Sequence, residues 1–520
     1  MPALEPSAYN APMPEPRTAP ALAPILEGRE LREIEAQART APLMERAGRA
    51  AAEVARDLAG RDGRVLVLAG PGNNGGDGFV VARHLRSWFF DVTVVFAGRR
   101  ERLPVDAAAA CAAFVDAGGV LSPEPPADWQ GSLIVDGMFG IGLARAIEAP
   151  YAVWIQWANQ SGIPILALDI PSGLDGDKGT AAGPVITAAA TCTFIALKPG
   201  LLTGDGPDHC GTLHVHALEL ERDVRARARG ARLQWPPLAA ALPEVLQRRR
   251  STVHKGTFGT LGIIGGAPGM IGAPLLAGRA ALRAGAGRVR VGYAARSHPT
   301  VDFGAPELMV RGAKGVLEAG ADVFVVGPGL GTDGRTAELL RQALALHTPL
   351  VLDADALNLI AKDGELRKAV TARSEPTLLT PHPAEAARLL GTDTEHVQAD
   401  RLLACRELAR TLNSHVVLKG TGSVLADPTG HWSINSSGNP GLSAAGSGDV
   451  LAGFAGAMLA QQLAPGEALR YAVCLHGAAA DALVAGGRGP LGLAASEIAE
   501  AARDLLNEAA RAVAAGAPGA

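Results

Sequence analysis

Short apolar runs closed by glycine or proline alternate with longer stretches of helical period along most of the chain. The first set is RVLVLAG (64–70), VTVVFAG (92–98), LIVDG (133–137), PILALDI (164–170) and ATCTFIA (190–196). After a break the pattern restarts with TLGIIGG (260–266), RVRVGYA (288–294), DVFVVGPG (322–329), LVLDADA (350–356), TLLTPHP (377–383), HVVLKG (415–420) and SVLAD (423–427). Runs that are apolar at nearly every position suit strands covered on both faces, and the helical stretches between them supply the crossovers of a parallel sheet. The pattern predicts an α/β protein of two wound domains, a Rossmann-like α/β/α sandwich over 25–222 and a second α/β domain over 245–512. The break, where the charge run ELERDVRARAR (219–229) meets WPPLAAALP (235–243), is expected to be a connector over 223–244. Residues 1–24, interrupted by proline throughout, are expected to form a disordered tail.

Composition narrows the function classes. With 48 Lys and Arg against 52 Asp and Glu, the net charge is −4 and no basic stripe runs along the chain. That excludes the usual footprint of a nucleic-acid or anionic-lipid partner. The five cysteines, Cys111, Cys192, Cys210, Cys405 and Cys474, are scattered, odd in number and free of CxxC spacing, so reduced thiols in a cytoplasmic protein are expected. The start of the chain lacks a basic stretch followed by an apolar core, and no run of about 20 uncharged apolar residues occurs, so neither a signal peptide nor a membrane span is expected.

The candidate chemistry begins at GPGNNGGDG (70–78), which joins a predicted strand to a predicted helix. A glycine loop at a helix start presents unpaired N–H groups to an anion, and GPGNNG satisfies the dinucleotide fingerprint G-x-G-x-x-G. Asn73, Asn74 and Asp77 depart from that fingerprint, and where it expects an acid after the second strand the chain has Gly98-Arg99-Arg100. Asp77 reads either as a helix N-cap or as a reactive acid. Asp136 and Asp169 stand at two further strand ends, and in an open parallel sheet such residues gather at one edge. Oxygen donors without His or Cys suit a hard cation, and a spare carboxylate suits proton transfer.

GPGNNGGDGFVVARHL, DGMFGIGLAR, DIPSGLDGD and the upstream LMERAG resemble the N-terminal, YjeF-type epimerase domain of the NAD(P)H-hydrate repair proteins. The resemblance covers roughly residues 25–220. It implies that Asn73, Asn74, Gly75, Gly76 and Asp77, with Gly140, Ile141, Gly142, Leu143, Ala144, Arg145 and Ala146, hold the hydrated nicotinamide dinucleotide. It further implies that Asp169 binds the hydrate and moves protons, with Asp77 at the same reactive edge. Asn74, Asp136 and Ser172 would ligate K+. Lys198 faces the pocket or is a surface lysine before a Pro-Gly turn.

The second glycine loop, GNPGLSAAGSGDVLAG (438–453), opens a helix near Asp449. N–H groups of residues 445–448 can cradle a phosphate, and an adjacent Asp can deprotonate an attacking hydroxyl. Together with HKGTFGTLGIIGGAPGMIGAPLLAGRAALRAGAGRVRVG, PELMV, VVGPGLG, LDADALN, LTPHPAEAARLLG and VVLKGTGS in that order, it resembles the ribokinase-like NAD(P)H-hydrate dehydratase domain over roughly 245–510. The resemblance implies that Ala273, Gly329, His382 and Asp449 contact the hydrate. Lys419, Gly420, Thr421, Gly422 and Ser423 would hold the nucleotide, Gly448 its phosphate, and Asp449 would be the base. Mg2+ would be a cofactor and ADP, in preference to ATP, the co-substrate, in a homo-oligomer. Glu385 steers magnesium or is a helix-surface acid. Where relatives carry two adjacent glycines this chain has Ala445, which would be strained if that position required a positive φ.

Two other readings remain open on sequence alone. One is a ribokinase-like kinase that releases a phosphorylated small molecule, and the other makes the N-terminal half a non-catalytic binding domain.

Overall fold

A computed structural model describes residues 22–61, 63–126, 128–142, 146–247 and 252–516. In the N-terminal half seven strands form one parallel sheet, in the spatial order Leu121–Ser122, Asp91–Val95, Arg64–Ala69, Leu133–Gly137, Ile165–Leu168, Ala190–Phe194, Thr212–His216. The pleat explains the unbroken apolar runs. Val65 and Val67 point into one layer with Phe79 and Phe114, while Leu66 and Leu68 point into the other with Trp154 and Ile155. Strand order reverses between Arg64–Ala69 and Leu133–Gly137, and the loops diverging there leave a crevice at the strands' carboxyl ends.

The second sheet has eleven strands. Its parallel part runs Met309–Gly312, Arg288–Tyr293, Thr260–Gly265, Val323–Val326, Leu350–Leu352, Thr377–Leu379, His415–Leu418. Val424–Ala426 and Trp432–Asn435 then add two antiparallel strands. Leu261, Ile263 and Val325 face the layer containing the helices Gly272–Arg283, Ser447–Ala460, Pro465–Ala485 and Ala495–Ala514; Ile264, Phe324 and Val326 face the opposite layer. The reversal lies between Thr260–Gly265 and Val323–Val326, and the loops leaving them are tied by Gly266 N–H to Pro328 O (3.0 Å) and Ala267 N–H to Gly329 O (2.6 Å).

The connector expected over 223–244 is built into this sheet. Gly230–Leu233 pairs in parallel with Trp432–Asn435 and antiparallel with Ala23–Ile25, and Leu238 of the following helix is buried in the second half's core. The tail expected through residue 24 lies outside the described residues up to 21, but Ala23 and Pro24 belong to a strand. These strands are too short to announce themselves and form because a partner exists elsewhere. One apolar cluster also crosses the boundary, bringing Ile25, Ile170, Leu197, Leu201 and Leu202 together with Leu352, Leu402 and Leu418.

The five cysteines are free and buried. One helix, Pro465–Ala485, is long and apolar enough to cross a membrane, but 72% of its apolar stretch is covered by the rest of the chain, as for a core helix.

Candidate functional site

The first crevice is lined from the ends of four strands. After Ala69 the chain turns through Gly70 to Gly72 and a helix runs Asn73–Ser87 with Gly72 at its cap, so Asp77 lies inside the helix and does not cap it. Asn73 is exposed and Asn74 buried, and neither the Oδ1 nor the Nδ2 of Asn74 has a partner among the described residues. A methyl group placed on Gly140 would lie 3.1 Å from Asp169 Oδ2 and 3.5 Å from Asn74 Cγ, which puts Asn74, Gly140 and Asp169 around one point. Gly75 abuts Gly70, and Gly76 abuts Met44 and Ala107; these two glycines let the helix pack closely. Ile141 is half-buried and Gly142 and Ala146 are exposed, while Leu143, Ala144 and Arg145 lie outside the described residues.

Two buried constellations flank that point. Asp136 accepts hydrogen bonds from Ser172 Oγ (2.6 Å), Ser172 N (2.8 Å) and Met138 N (3.2 Å). Burial nevertheless pushes its carboxyl up to about 6 against those bonds. Asp169, at φ +64°, holds a left-handed conformation that a non-glycine residue rarely adopts. It pairs with the Lys198 ammonium, which is 1% exposed and also donates to Thr193 Oγ1 and Phe194 O, each at 2.8 Å. Lys198 is therefore a buried partner of the site and not a surface lysine. Burial, then the charges of Asp169 and Glu35, raise Asp77 well above the ordinary carboxylate range, with Lys198 opposing. Glu35, from the helix Gly28–Gln37, is itself raised by burial and by Asp169.

The second crevice gathers loops from the reversal point outward. Gly329, at φ +56°, lies against Met270 and Ala273, so these predicted contacts meet across the two diverging loops. The next strand ends in Asp353, 1% exposed, which accepts from Thr380 Oγ1 (2.6 Å) and Lys419 Nζ (2.9 Å). A methyl group on Gly448 would stand 3.2 Å from Lys419 Nζ, which joins the glycine loop to the Lys419 turn. Asp449, in the first turn of Ser447–Ala460, is pushed up to about 7 by burial and by Asp353, with Lys419 opposing. Burial works against the Lys419 ammonium, but Asp353, Glu385 and Asp449 hold its pKa above the ordinary value. His382 caps the helix Pro383–Leu390, accepting from Ala384 N at Nδ1 (3.1 Å) with its ring half-exposed; burial and the Lys419 charge lower its pKa. Glu385 is buried and its Oε2 accepts from His382 N (2.8 Å), so it organises this cap and is not a surface acid. Thr421 is exposed and Gly422 and Ser423 half-exposed in the turn after Lys419.

The positive φ values in the second glycine loop belong to Gly438 (+111°) and Gly446 (+86°), not to Ala445. Ala445→Gly is accordingly expected to leave kcat at this site within about twofold. Gly446→Ala should lower activity and stability together, since its Cβ would lie 2.5 Å from Leu276 Cδ1 on top of about 1 kcal/mol of backbone strain. Steady-state kinetics and thermal melts of the two variants check this.

Asp353, Asp355 and Glu35 stand at these sites without having been singled out from the sequence. Asp353 ends the run LVLD just as Asp136 and Asp169 end theirs, so the strand-end rule reaches it. Asp355 accepts from Gly331 N (2.8 Å) and ties two of the loops. Glu35 carries no sequence signal, because only packing brings its helix to the crevice. Among the described residues no three His, Cys, Asp or Glu side chains are grouped to cage a metal ion.

Comparison with known proteins agrees with both halves. The family described as YjeF-related protein N-terminus matches residues 40–200, and that described as NAD(P)H-hydrate dehydratase matches 261–503. The bifunctional NAD(P)H-hydrate repair enzyme of Escherichia coli is 41% identical over 86% of this chain and 87% of its own length. That of Coxiella burnetii is 38% identical over 93% and 99%. A crystal structure of an ADP/ATP-dependent NAD(P)H-hydrate dehydratase from Bacillus subtilis, with ATP and Mg2+, is 28% identical and superposes on 53% of this chain and 98% of that one with a TM-score of 0.46. Similar over most of its length to enzymes that carry both activities, and with a carboxylate-lined crevice in each half, the chain belongs to the bifunctional NAD(P)H-hydrate repair enzymes.

Proposed function

We propose that the N-terminal crevice interconverts the R and S hydrates of NADH and NADPH and that the C-terminal crevice phosphorylates and then dehydrates the S form with ADP. The observation that carries this reading is the pair of carboxylates, Asp77 and Asp449, raised by burial at two sheet-reversal crevices.

In the first crevice the two acids have opposite surroundings. Asp77 is driven toward its protonated form, while Asp169 faces an ammonium. Two carboxyl groups whose environments diverge in this way make an acid and base pair. Asp77 gives a proton to the departing C6 hydroxyl, which leaves as water, and Asp169 takes one from the water that returns on the other face, with Lys198 holding the Asp169 carboxylate in place. The unpartnered, buried Asn74 amide oxygen, facing Gly140, suits a hard monovalent cation such as K+, with Asp136 and Ser172 as the further oxygen ligands the family resemblance implies. When bound, K+ would orient the dinucleotide's oxygens. Replacing K+ by tetramethylammonium is expected to slow epimerisation of the wild type, and Asn74→Leu to remove that sensitivity; equal rates in both ions for the wild type would refute the assignment.

In the second crevice Asp449 removes the proton of the C6 hydroxyl, whose oxygen attacks the terminal phosphorus of ADP, giving AMP. Expulsion of phosphate with loss of a C5 proton restores the dihydronicotinamide. Lys419 and the N–H groups of 445–448 meet the phosphate charge. The residues fit Mg2+ arriving on the nucleotide's phosphates, as that ion commonly does, since no protein cage is grouped for it among the described residues. Mg2+ would neutralise charge on those phosphates.

A base pushed up to about 7 works only when deprotonated. For the dehydratase, kcat/KM should therefore fall about tenfold per pH unit below about 7 and level off above it. A profile flat to pH 5 would remove Asp449 as the base.

The reading is tested by mixing the protein with acid-generated NADH hydrate, ADP and Mg2+ and following dihydronicotinamide absorbance. Recovery of both epimers, with AMP and phosphate formed stoichiometrically, is expected. Accumulation of a phosphorylated product without return of absorbance would support a simple kinase instead. Running ADP and ATP in parallel decides the nucleotide.

A further inference from the structure

The turn that begins at Lys198 does not end in its own domain. Gly200 N–H bonds to Gly176 O (2.7 Å) and Asp205 N–H to Gly179 O (2.8 Å), which fixes the stretch Pro199–Asp205 against the loop after Asp169. Leu201 and Leu202 then carry it into the apolar cluster shared with the second half. At its tip Thr203, 1% exposed, shares its single hydroxyl proton between Thr421 O (3.0 Å) and Gly422 O (2.9 Å). The same oxygen accepts from Arg401 Nε at 2.9 Å.

Arg401 is 2% exposed, and among the described residues it has no carboxylate partner. Its fork donates to Gln398 Oε1 (2.6 Å), Leu418 O (3.3 Å) and Lys419 O (3.2 Å) as well as to Thr203. Burial brings it down to about 10, so it remains a cation at neutral pH. A buried cation solvated by backbone carbonyls adds little net stability compared with an apolar side chain, but it dictates where those carbonyls sit. The carbonyls it and Thr203 fix belong to residues 418, 419, 421 and 422. The turn they hold has two left-handed residues, Gly420 (φ +134°) and Gly422 (φ +58°), and Gly422 lies so close to the Leu202 carbonyl and Thr203 Cα that no side chain fits there. Without an outside clamp, glycines at both positions would leave this turn free to sample many shapes.

We propose that Thr203 of the N-terminal half and the buried Arg401 are positioning residues for the nucleotide turn 419–423, so that the epimerase half completes the dehydratase's nucleotide site. The inference rests on the reading that 419–423 hold the nucleotide. It separates the clamp from the catalytic groups: Asp449 and the hydrate contacts Ala273, Gly329 and His382 lie on other loops.

The experiment uses the full-length chain and compares Thr203→Val, which keeps the shape and removes the hydroxyl, with Thr203→Ser, which restores it. Loss of a buried hydrogen bond is expected to raise the nucleotide KM about tenfold in Thr203→Val, with kcat and the hydrate KM within about twofold. Amide exchange over 419–423 should quicken in the same variant, and Thr203→Ser should return both readouts to wild type. Arg401→Lys, which keeps the charge but not the fork, should reproduce the pattern and serves if Thr203→Val does not fold. Unchanged exchange and unchanged nucleotide KM would overturn the clamp and leave the nucleotide assignment standing. Faster exchange with unchanged nucleotide KM would instead show that the nucleotide binds elsewhere, and the inference would fall with that reading.

Discussion

Asp449→Asn is expected to cut the dehydration kcat by about a thousandfold, a barrier change of about 4 kcal/mol, while nucleotide affinity stays within about twofold. The asparagine is isosteric, so the loop from Gly446 keeps its shape, but it cannot accept the hydroxyl proton. Phosphoryl transfer depends on that proton leaving as the oxygen attacks. Removing one negative charge beside Asp353 and Asp355 also relieves repulsion, so the variant should bind the nucleotide no worse and melt no lower than wild type. Rapid-quench measurement of AMP and phosphate, together with dihydronicotinamide absorbance, checks the first point, and equilibrium titration with ADP checks the second. A variant retaining a tenth of wild-type kcat would mean that the base lies elsewhere. Epimerisation, followed by chromatographic separation of the R and S hydrates, should be unchanged, because the two crevices use different loops.

The second large effect is expected in the other half. Asp169→Asn and Lys198→Met should each slow conversion of the R hydrate by about a hundredfold, for different reasons. The first removes the proton acceptor. The second leaves the Asp169 carboxylate without its cation, so it turns toward water and away from the substrate. Lys198→Met also strands Thr193 Oγ1 and Phe194 O, which lose a donor, and Asp169→Asn leaves the Lys198 ammonium, 1% exposed, without its carboxylate, so a lower melting temperature is expected for both. The measurement is time-resolved recovery of a mixed hydrate. The S fraction should return at the wild-type rate in both variants, and the R fraction should lag to the uncatalysed epimerisation rate measured without protein. Equal recovery of both fractions, well above that background, would leave Asp169 and Lys198 without a role in proton transfer.

The parts of this architecture that were legible in the sequence are those fixed by local pattern. Strands such as Arg64–Ala69 and Thr260–Gly265 carry no polar side chain after their first residue because both faces are covered there, and that is visible as an unbroken run. Asp136 and Asp169 could be placed at one edge because a parallel sheet sends all its strand ends the same way. What stayed hidden depends on distant partners. Nothing in API or GARL says that Ala23–Ile25 and Gly230–Leu233 will meet more than 200 residues apart. The hairpin Val424–Ala426 and Trp432–Asn435 was half seen: the first strand was read, but its antiparallel partner beyond the DPTG turn was not. Lys198 illustrates the same limit at a single residue. Its ambiguity is resolved by the left-handed turn at Ile195 (φ +68°) and by the chain reversal that follows, neither of which its neighbours encode strongly. Asp77 failed as a cap for a simpler reason, since the helix begins five residues earlier than a cap at that position would require.

The outermost strand of the larger sheet, Ala23–Ile25, comes from the chain ahead of the smaller one, and Ile25 also bridges to Leu197 within that smaller half. The molecule is thus sewn rather than hinged. A gene divided at residue 222 would give a carboxyl-terminal fragment whose strand Gly230–Leu233, still paired with Trp432–Asn435, has a bare outer edge, next to leucines that have lost their cover. Such a seam recruits stray chains, so the fragment should clump where the intact protein stays dispersed.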